Sequence, residues 1–455
     1  MQMKQIQKAN AALVGILGKG KQGAEKYRML RYCVSKEVDE GVLLFNLLTR
    51  ELLLLTEEEF AGALEQPYLR KQWFVVPEET DEKKLVASVR WVQAAMTKTS
   101  DGYDAYTILT TTDCNARCFY CYELGRSRIP MSKETAEKTA QFIIANSGGN
   151  SVRLRWFGGE PLYNYEVIDL ISERLHQAGV SFKSTMISNA YLFEEELAEK
   201  AATLWNLQRV QITLDGTEPV YNRCKAFIYR DGSPYQVVLA NIERLLNRGI
   251  GVSVRMNMDF HNAEDLLNLA DELAQRFAGQ KKLSAYSHLI FDEKKSWDQR
   301  YSLEKWEELY AAWHRLEDRL EELGLGNARH LRVKRKLPQY HCMADNPDAV
   351  MILPDGNLGK CEHFTENEFI GNLDSSDRDQ AVIEKFRKRC AEIPECETCF
   401  YYPECIRPAQ CTGLNPCIPP ERASLYRGLQ KAMVNDYNRW KDKDTSDEEE
   451  VDELC

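Results

Sequence analysis

The chain has 455 residues, 44% of them hydrophobic, which is room for two or three domains with a sizeable core. Its formal net charge of −11 argues against a nucleic-acid binder held by phosphate contacts. No window approaches the roughly 18 to 20 apolar residues of a membrane span, and the early apolar run "AALVGIL" lacks a small-residue cleavage site after it. A cytoplasmic protein is expected, with no nucleic acid and no membrane as partner, and its fourteen cysteines then point to metal rather than disulfides.

In chain order, residues 1–100 carry short β-rich runs ("YRMLRYCV", "GVLLFNLL", "RELLLLT") followed by helical stretches, the pattern of a small α+β unit. Residues 101–300 alternate six strand-like runs, from "AYTILTTT" to "KLSAYSHLIF", with five amphipathic helices. Strands separated by single helices imply parallel βαβ units, and six of them predict an α/β partial (β/α)6 barrel with its active residues at the C-terminal strand ends. A helical bridging region over 301–340 follows. Residues 341–420 are rich in cysteine and proline, with periodicity too weak to organise a core, so metal is expected to hold that segment. A helix and an acidic tail occupy 421–455.

Cys114, Cys118 and Cys121, spaced C-x3-C-x2-C, follow directly on the first barrel strand. Three thiolates can converge on one iron–sulfur cubane and leave its fourth iron without a protein ligand; a zinc knuckle completed by a distant residue is the alternative. The next strand ends in "WFGGEP", where Gly158 and Gly159 allow close backbone approach and Glu160 offers an acceptor.

Taken with "ISNAYL" after the third strand and "ITLDGTEP" after the fourth, these motifs resemble the radical S-adenosylmethionine (SAM) enzymes, over residues 105–295. The resemblance implies that SAM chelates the open iron, with its amine near Gly158, Gly159 and Glu160, its ribose near Ser188 and Asn189, its adenine near Tyr120 and its carboxylate near Arg255. Asn189 as an ordinary turn residue, and an Arg255–Asp215 salt bridge at the barrel mouth, are the bland alternatives. The chemistry so implied is reductive SAM cleavage to a 5′-deoxyadenosyl radical that abstracts hydrogen from an unactivated carbon.

Downstream, Cys342, Cys361, Cys396, Cys399, Cys405, Cys411 and Cys417 exceed what one zinc ribbon needs. They resemble the SPASM extension of radical SAM enzymes, which implies two auxiliary clusters and three [4Fe–4S] clusters in all. By that resemblance Cys342, Cys361 and Cys411 serve the first auxiliary cluster, and Cys396, Cys399, Cys405 and Cys417 the second. "CIRPAQC" departs from the family in placing five residues between Cys405 and Cys411. A fourth ligand of the first cluster is left open between Cys390, a non-cysteine group and a substrate thiolate. Glu362, beside Cys361, is a candidate proton acceptor. Cys33, Cys224 and Cys455 read as small buried hydrophobes or stray thiols.

SPASM proteins mostly modify peptides, and the N-terminal unit looks like the winged-helix-like domains that hold a leader peptide as an added strand. The expectation is a maturase of ribosomally synthesised peptides, forming a crosslink and foremost a cysteine thioether. Its expected partners are a precursor peptide with its leader and an electron donor such as flavodoxin or ferredoxin. Carbon–carbon crosslinking, a sulfatase-maturating enzyme that makes formylglycine, and a non-catalytic zinc-ribbon scaffold are the alternatives. The basic run "RVKRK", Arg332 to Lys336, reads as a solvated face or a contact for an acidic peptide.

Overall fold

The computed structural model describes residues 3–18, 23–96, 102–123, 125–229, 232–290, 301–326, 332–363, 367–411, 414 and 417–444. The acidic tail beyond 444, with Cys455, lies outside the described residues. Among those described, no helix is long and apolar enough to cross a membrane.

The N-terminal unit runs β1 (Lys4–Gln7), α1 (Ala11–Leu17), β2 (Tyr27–Met29), β3 (Cys33–Val38), β4 (Gly41–Asn46), β5 (Leu52–Leu55), α2 (Glu57–Ala61), α3 (Pro67–Lys71), β6 (Val75–Pro77) and α4 (Glu82–Met96). Four strands pair antiparallel in the order β1-β5-β4-β3, with β2 and β6 as a separate ribbon. The "LLLL" of β5 shows no alternation because both faces are covered. Leu52 and Leu54 enter one core, and Leu53 and Leu55 enter another with Phe74. Thr56 and Glu59 close a capping box at the start of α2.

The central region is β7 (Ala105–Thr111), α5 (Lys133–Asn146), β8 (Val152–Gly158), α6 (Tyr165–Gln177), β9 (Phe182–Ser188), α7 (Glu195–Thr203), β10 (Leu207–Thr213), α8 (Glu218–Lys225), α9 (Pro234–Asn247), β11 (Gly251–Met258), α10 (Ala263–Arg276), β12 (Leu283–Leu289) and α11 (Leu303–Glu322). The strands β7 to β12 are parallel neighbours in chain order, the six-stranded α/β partial barrel expected. Alternate residues such as Trp156, Met186, Ile212 and Met256 are buried against the helices. The crossover from β10 to β11 holds two helices, where the sequence pattern showed one.

Beyond α11 come β13 (Ala349–Ile352), β14 (Asn357–Gly359), β15 (Phe369–Asn372), α12 (Gln380–Arg387) and α13 (Pro419–Asp444). β13 pairs parallel with β7, and β14 and β15 continue antiparallel, giving one nine-stranded sheet. This corrects the expectation that only metal organises 341–420, since Val350, Ile352, Leu358 and Ile370 join the main core. The run "VMILPDGNL" is a strand, a turn and a strand, with Gly356 at φ +85° making the turn.

The four basic side chains of the run 332–336 are exposed, as a solvated face requires, but its backbone and Val333 are packed. Val333 and Leu337 enter the N-terminal core with Ala432, Met433 and Tyr437 of α13. Arg332 pairs with Asp436 at 3.0 Å, and the Lys334 carbonyl accepts from Arg50 Nε at 2.8 Å. The segment is a seam between the N-terminal unit and α13.

Candidate active site

The loop after β7 carries Cys114, Cys118 and Cys121, and all three line one cavity of about 270 Å³ at the C-terminal strand ends. Gly158 and Gly159 line the same cavity. A Cβ on Gly158, which sits at φ +132°, would meet the Thr111 carbonyl oxygen at 2.1 Å; one on Gly159 would meet that of Asp113 at 2.3 Å. The glycines therefore let the end of β8 close against the cysteine loop, with Gly159 N donating to Thr111 O at 3.0 Å and Glu160 N to Asp113 O at 2.9 Å.

Glu160 is fully buried and stands behind Ser188 and Asn189, which line the cavity where it does not. It accepts from Ser188 Oγ at 2.8 Å, Asn189 N at 2.8 Å and Leu162 N at 3.1 Å. Burial pushes its pKa up to about 7, against the pull of those hydrogen bonds. What the wall receives from "GGE" is the backbone of the two glycines, while the glutamate ties β8 to the end of β9. Asn189 in turn donates from Nδ2 to Asn115 Oδ1 at 2.6 Å, linking that strand end to the cysteine loop.

Tyr120 also lines the cavity. Its hydroxyl donates to Asp215 Oδ2 at 2.6 Å and accepts from Lys225 Nζ at 2.7 Å, and Lys225 pairs with Asp215 at 3.0 Å. The sequence pattern offered Arg255 as the partner of Asp215, but Arg255 donates to Asn257 Oδ1 at 2.9 Å instead. Lys225 went unrecognised because no spacing marks it. It ends α8, and only tertiary packing brings its 3%-exposed side chain to the cysteine loop.

A second cavity of about 190 Å³ adjoins the first and shares Tyr120, Cys121, Tyr122, Phe157, Ile187 and Thr213 with it. Arg255, Asn257, Gln211, Ile290, Glu362 and His363 complete its walls. Tyr122 packs on His363 with ring centroids 4.3 Å apart, and Arg126 donates to the His363 carbonyl at 3.1 Å. The loop of Cys361 therefore lies against the loop of Cys121.

The downstream thiols fall into two groups. Cys361 is raised by both Cys342 and Cys411, and Cys342 is raised by Cys411, so these three are near neighbours. Cys399 is raised by Cys405, Cys417 and Cys396 in the same way. Cys390 donates its thiol to the Pro408 carbonyl at 3.1 Å. The long spacing between Cys405 and Cys411 has a structural use: Cys390 N donates to Arg407 O, and Ala409 N to Lys388 O, so the extra residues pair with 388–390.

The donor set fits iron–sulfur clusters. Burial is the largest cause that pushes Cys114 up to about 12, Cys121 up to about 11 and Cys342 up to about 11. Thiols gathered in such surroundings ionise only against a strongly positive partner.

Comparison with known proteins agrees. A family model described as "Radical SAM superfamily" matches residues 108–273. A GTP 3′,8-cyclase of Clostridium perfringens is 30% identical over 177 residues, covering 37% of this chain and 52% of the relative. An AdoMet-dependent heme synthase of Methanosarcina barkeri is 23% identical over 181 residues, covering 40% and 48%. The chain spans about half the length of these curated relatives. Among solved structures, anSMEcpe with bound AdoMet superposes with a TM-score of 0.57 at 13% identity, over 74% of this chain and 100% of that one. SuiB of Streptococcus suis bound to precursor peptide SuiA gives 0.50 at 13% identity, over 84% and 95%. Both share the fold, and the cysteine-rich C-terminal region is consistent with a SPASM extension. Residues 108–273, which carry the cysteine loop and strands β8 to β11, are therefore a domain of the radical SAM superfamily, whose enzymes use SAM and a [4Fe–4S] cluster.

Proposed function

We propose that this protein is a radical SAM peptide maturase whose product is a crosslink, foremost a cysteine thioether. The observation that carries this reading is the shared wall of the two cavities. A peptide in the second cavity would touch Tyr120 and Cys121 on one side and Glu362 and His363, beside Cys361, on the other. Similarity to structures containing bound peptides, SuiB with SuiA and anSMEcpe with the Cp18Cys peptide, supports a peptide substrate.

In this reading Cys114, Cys118 and Cys121 hold the SAM-binding cluster. Cys342, Cys361 and Cys411 hold the first auxiliary cluster, and Cys396, Cys399, Cys405 and Cys417 the second. When bound, SAM and the clusters supply the hydrogen-abstracting carbon radical and an acceptor for the electron released as the new bond closes. The remaining work belongs to side chains. Glu160 brackets the strand end that presents Ser188 and Asn189. Asp215 and Lys225 lock the Tyr120 ring. Arg255 is the carboxylate partner for SAM, and Glu362 accepts the proton of the substrate thiol. In the balance, one C–H and one S–H bond break and one C–S bond forms, with a hydrogen atom, a proton and an electron leaving.

The N-terminal unit would hold the leader of the precursor peptide, and flavodoxin or ferredoxin would deliver the reducing electron. Incubating reduced, reconstituted protein with SAM and a cysteine-bearing precursor peptide tests the assignment. Loss of two hydrogens with an intact cysteine sulfur supports it, and a carbonyl at the cysteine side-chain carbon would move the assignment to formylglycine formation.

A further inference from the structure

The last helix of the N-terminal unit, α4, buries Val86 and Val89 in the core of that unit. Its next residues, Arg90, Trp91 and Ala94, line a groove of about 510 Å³ whose far side is formed by the 338–347 loop with Arg387, Arg389 and Ile406. Trp91 is 73% exposed. An indole left so open beside arginines is the composition of an interface centre rather than of a plain solvated surface.

The groove is cationic. Arg90 Nη2 donates to the carbonyls of Tyr402 and Cys405, both at 2.7 Å, and Arg389 Nη2 to that of Gln339 at 3.2 Å. Carbonyls orient a guanidinium without neutralising it, and among the described residues neither of these arginines has an ion pair. Burial and then the Arg90 charge lower the Arg389 pKa, so the two cations stand close together. Arg387 pairs with Glu384 of its own helix at 3.0 Å. The carboxylate on the groove, Asp345, is 7% exposed and is taken up by His341 N and Cys342 N.

A chain of net charge −11 repels an acidic protein over most of its surface, so a local cationic patch decides where one can dock. The groove shares no residue with the two cavities at the strand ends, which a substrate peptide has to reach. It lies instead against the loop of the second cysteine group, through the Arg90 bonds to Tyr402 and Cys405. None of Cys396, Cys399, Cys405 and Cys417 lines either of those cavities. A small charged face around one aromatic suits a transient electron-transfer encounter, which buries under about 1,200 Å².

We propose that the groove of Trp91, Arg387 and Arg389, with Arg90 behind them, is the docking face for a small acidic one-electron carrier protein. This rests on the reading that the chain cleaves SAM reductively, and it adds where the carrier sits. One electron leaves the carrier, oxidising its centre, for each SAM reduced.

The test uses the full chain, reconstituted anaerobically, and an acidic two-[4Fe–4S] ferredoxin immobilised for biolayer interferometry. The chain should bind at low salt and lose about tenfold in affinity or more between roughly 20 and 200 mM salt. A ferredoxin with amidated carboxylates should not bind. Arg387→Glu with Arg389→Glu should weaken binding roughly tenfold or more, and Trp91→Ala severalfold. Wild-type thermal unfolding, and wild-type 5′-deoxyadenosine formation with dithionite as reductant, show that these variants are folded and loaded; formation driven by the ferredoxin should fall in step with binding. Absence of ferredoxin binding, or binding that the variants leave unchanged, would overturn the docking face and leave the SAM reading standing. A wild type that forms no 5′-deoxyadenosine even with dithionite would overturn that reading itself. A peptide rich in Glu and Asp that binds the groove where the ferredoxin does not would reassign the face and also overturn the proposal.

Discussion

Tyr122 and His363 pack with ring centroids 4.3 Å apart and their planes tilted by 37°, joining the loop of the first cysteine trio to the loop of Cys361. Each ring stands one or two residues from a proposed cluster ligand, so the contact ties the two loops together at the wall of the second cavity. Tyr122→Ala and His363→Ala should each lower stability, with a coupling energy of about 0.5–1.5 kcal/mol in the double-mutant cycle. Either variant should continue to cleave SAM while modifying less peptide per 5′-deoxyadenosine, a ratio read by chromatography. An unchanged ratio would show that the contact does not set the geometry of the reaction.

The Asp215–Lys225–Tyr120 group is a buried ion pair whose two charges are in direct contact and both hydrogen-bond one phenol. Removing one charge leaves the other uncompensated, so Asp215→Asn or Lys225→Met should cost roughly 3–5 kcal/mol. The double replacement should cost clearly less than the sum of the singles. Chemical denaturation of the metal-free chain measures all three.

Glu160 has a pH signature. Its folded pKa of about 7 lies above the ordinary 4.5, so the folded state binds more protons between those values. Its contribution to stability is therefore fully present below about pH 4.5 and is lost as pH rises through about 7. Relative to wild type, Glu160→Gln should gain up to about 3 kcal/mol between pH 5 and pH 8, at about 1.4 kcal/mol per pKa unit. A flat difference across that range would show that the carboxyl titrates normally.

Gly158 admits no side chain. With a Cβ placed 2.1 Å from the Thr111 carbonyl at positive φ, Gly158→Ala should destabilise by at least about 2 kcal/mol and displace the cysteine loop. Iron bound by the trio should fall, while the auxiliary iron absorbance persists.

Much of this was legible in the sequence for physical reasons. The alternation in "SVRLRWF" and "SFKSTMIS" reflects strands packed on one face only, and the C-x3-C-x2-C spacing reports a local loop. Lys225 and the bracketing role of Glu160 were not legible, because both depend on partners brought from distant strands and helices. β13 to β15 were obscured by the cysteines and prolines around them, although "PDG" marks the turn. The seam role of 332–336 was hidden because the basic side chains are exposed as the sequence suggests, while the backbone bonds Arg50 and Val333 enters a core.

The most direct test of the central claim is SAM cleavage by the anaerobically reconstituted chain and by its Cys118→Ala, Cys121→Ala double variant. The wild type should bind about twelve irons and form 5′-deoxyadenosine. The variant should keep about eight irons and form none. Undiminished 5′-deoxyadenosine from the variant, or a wild type that holds zinc without iron and sulfide, would contradict the account.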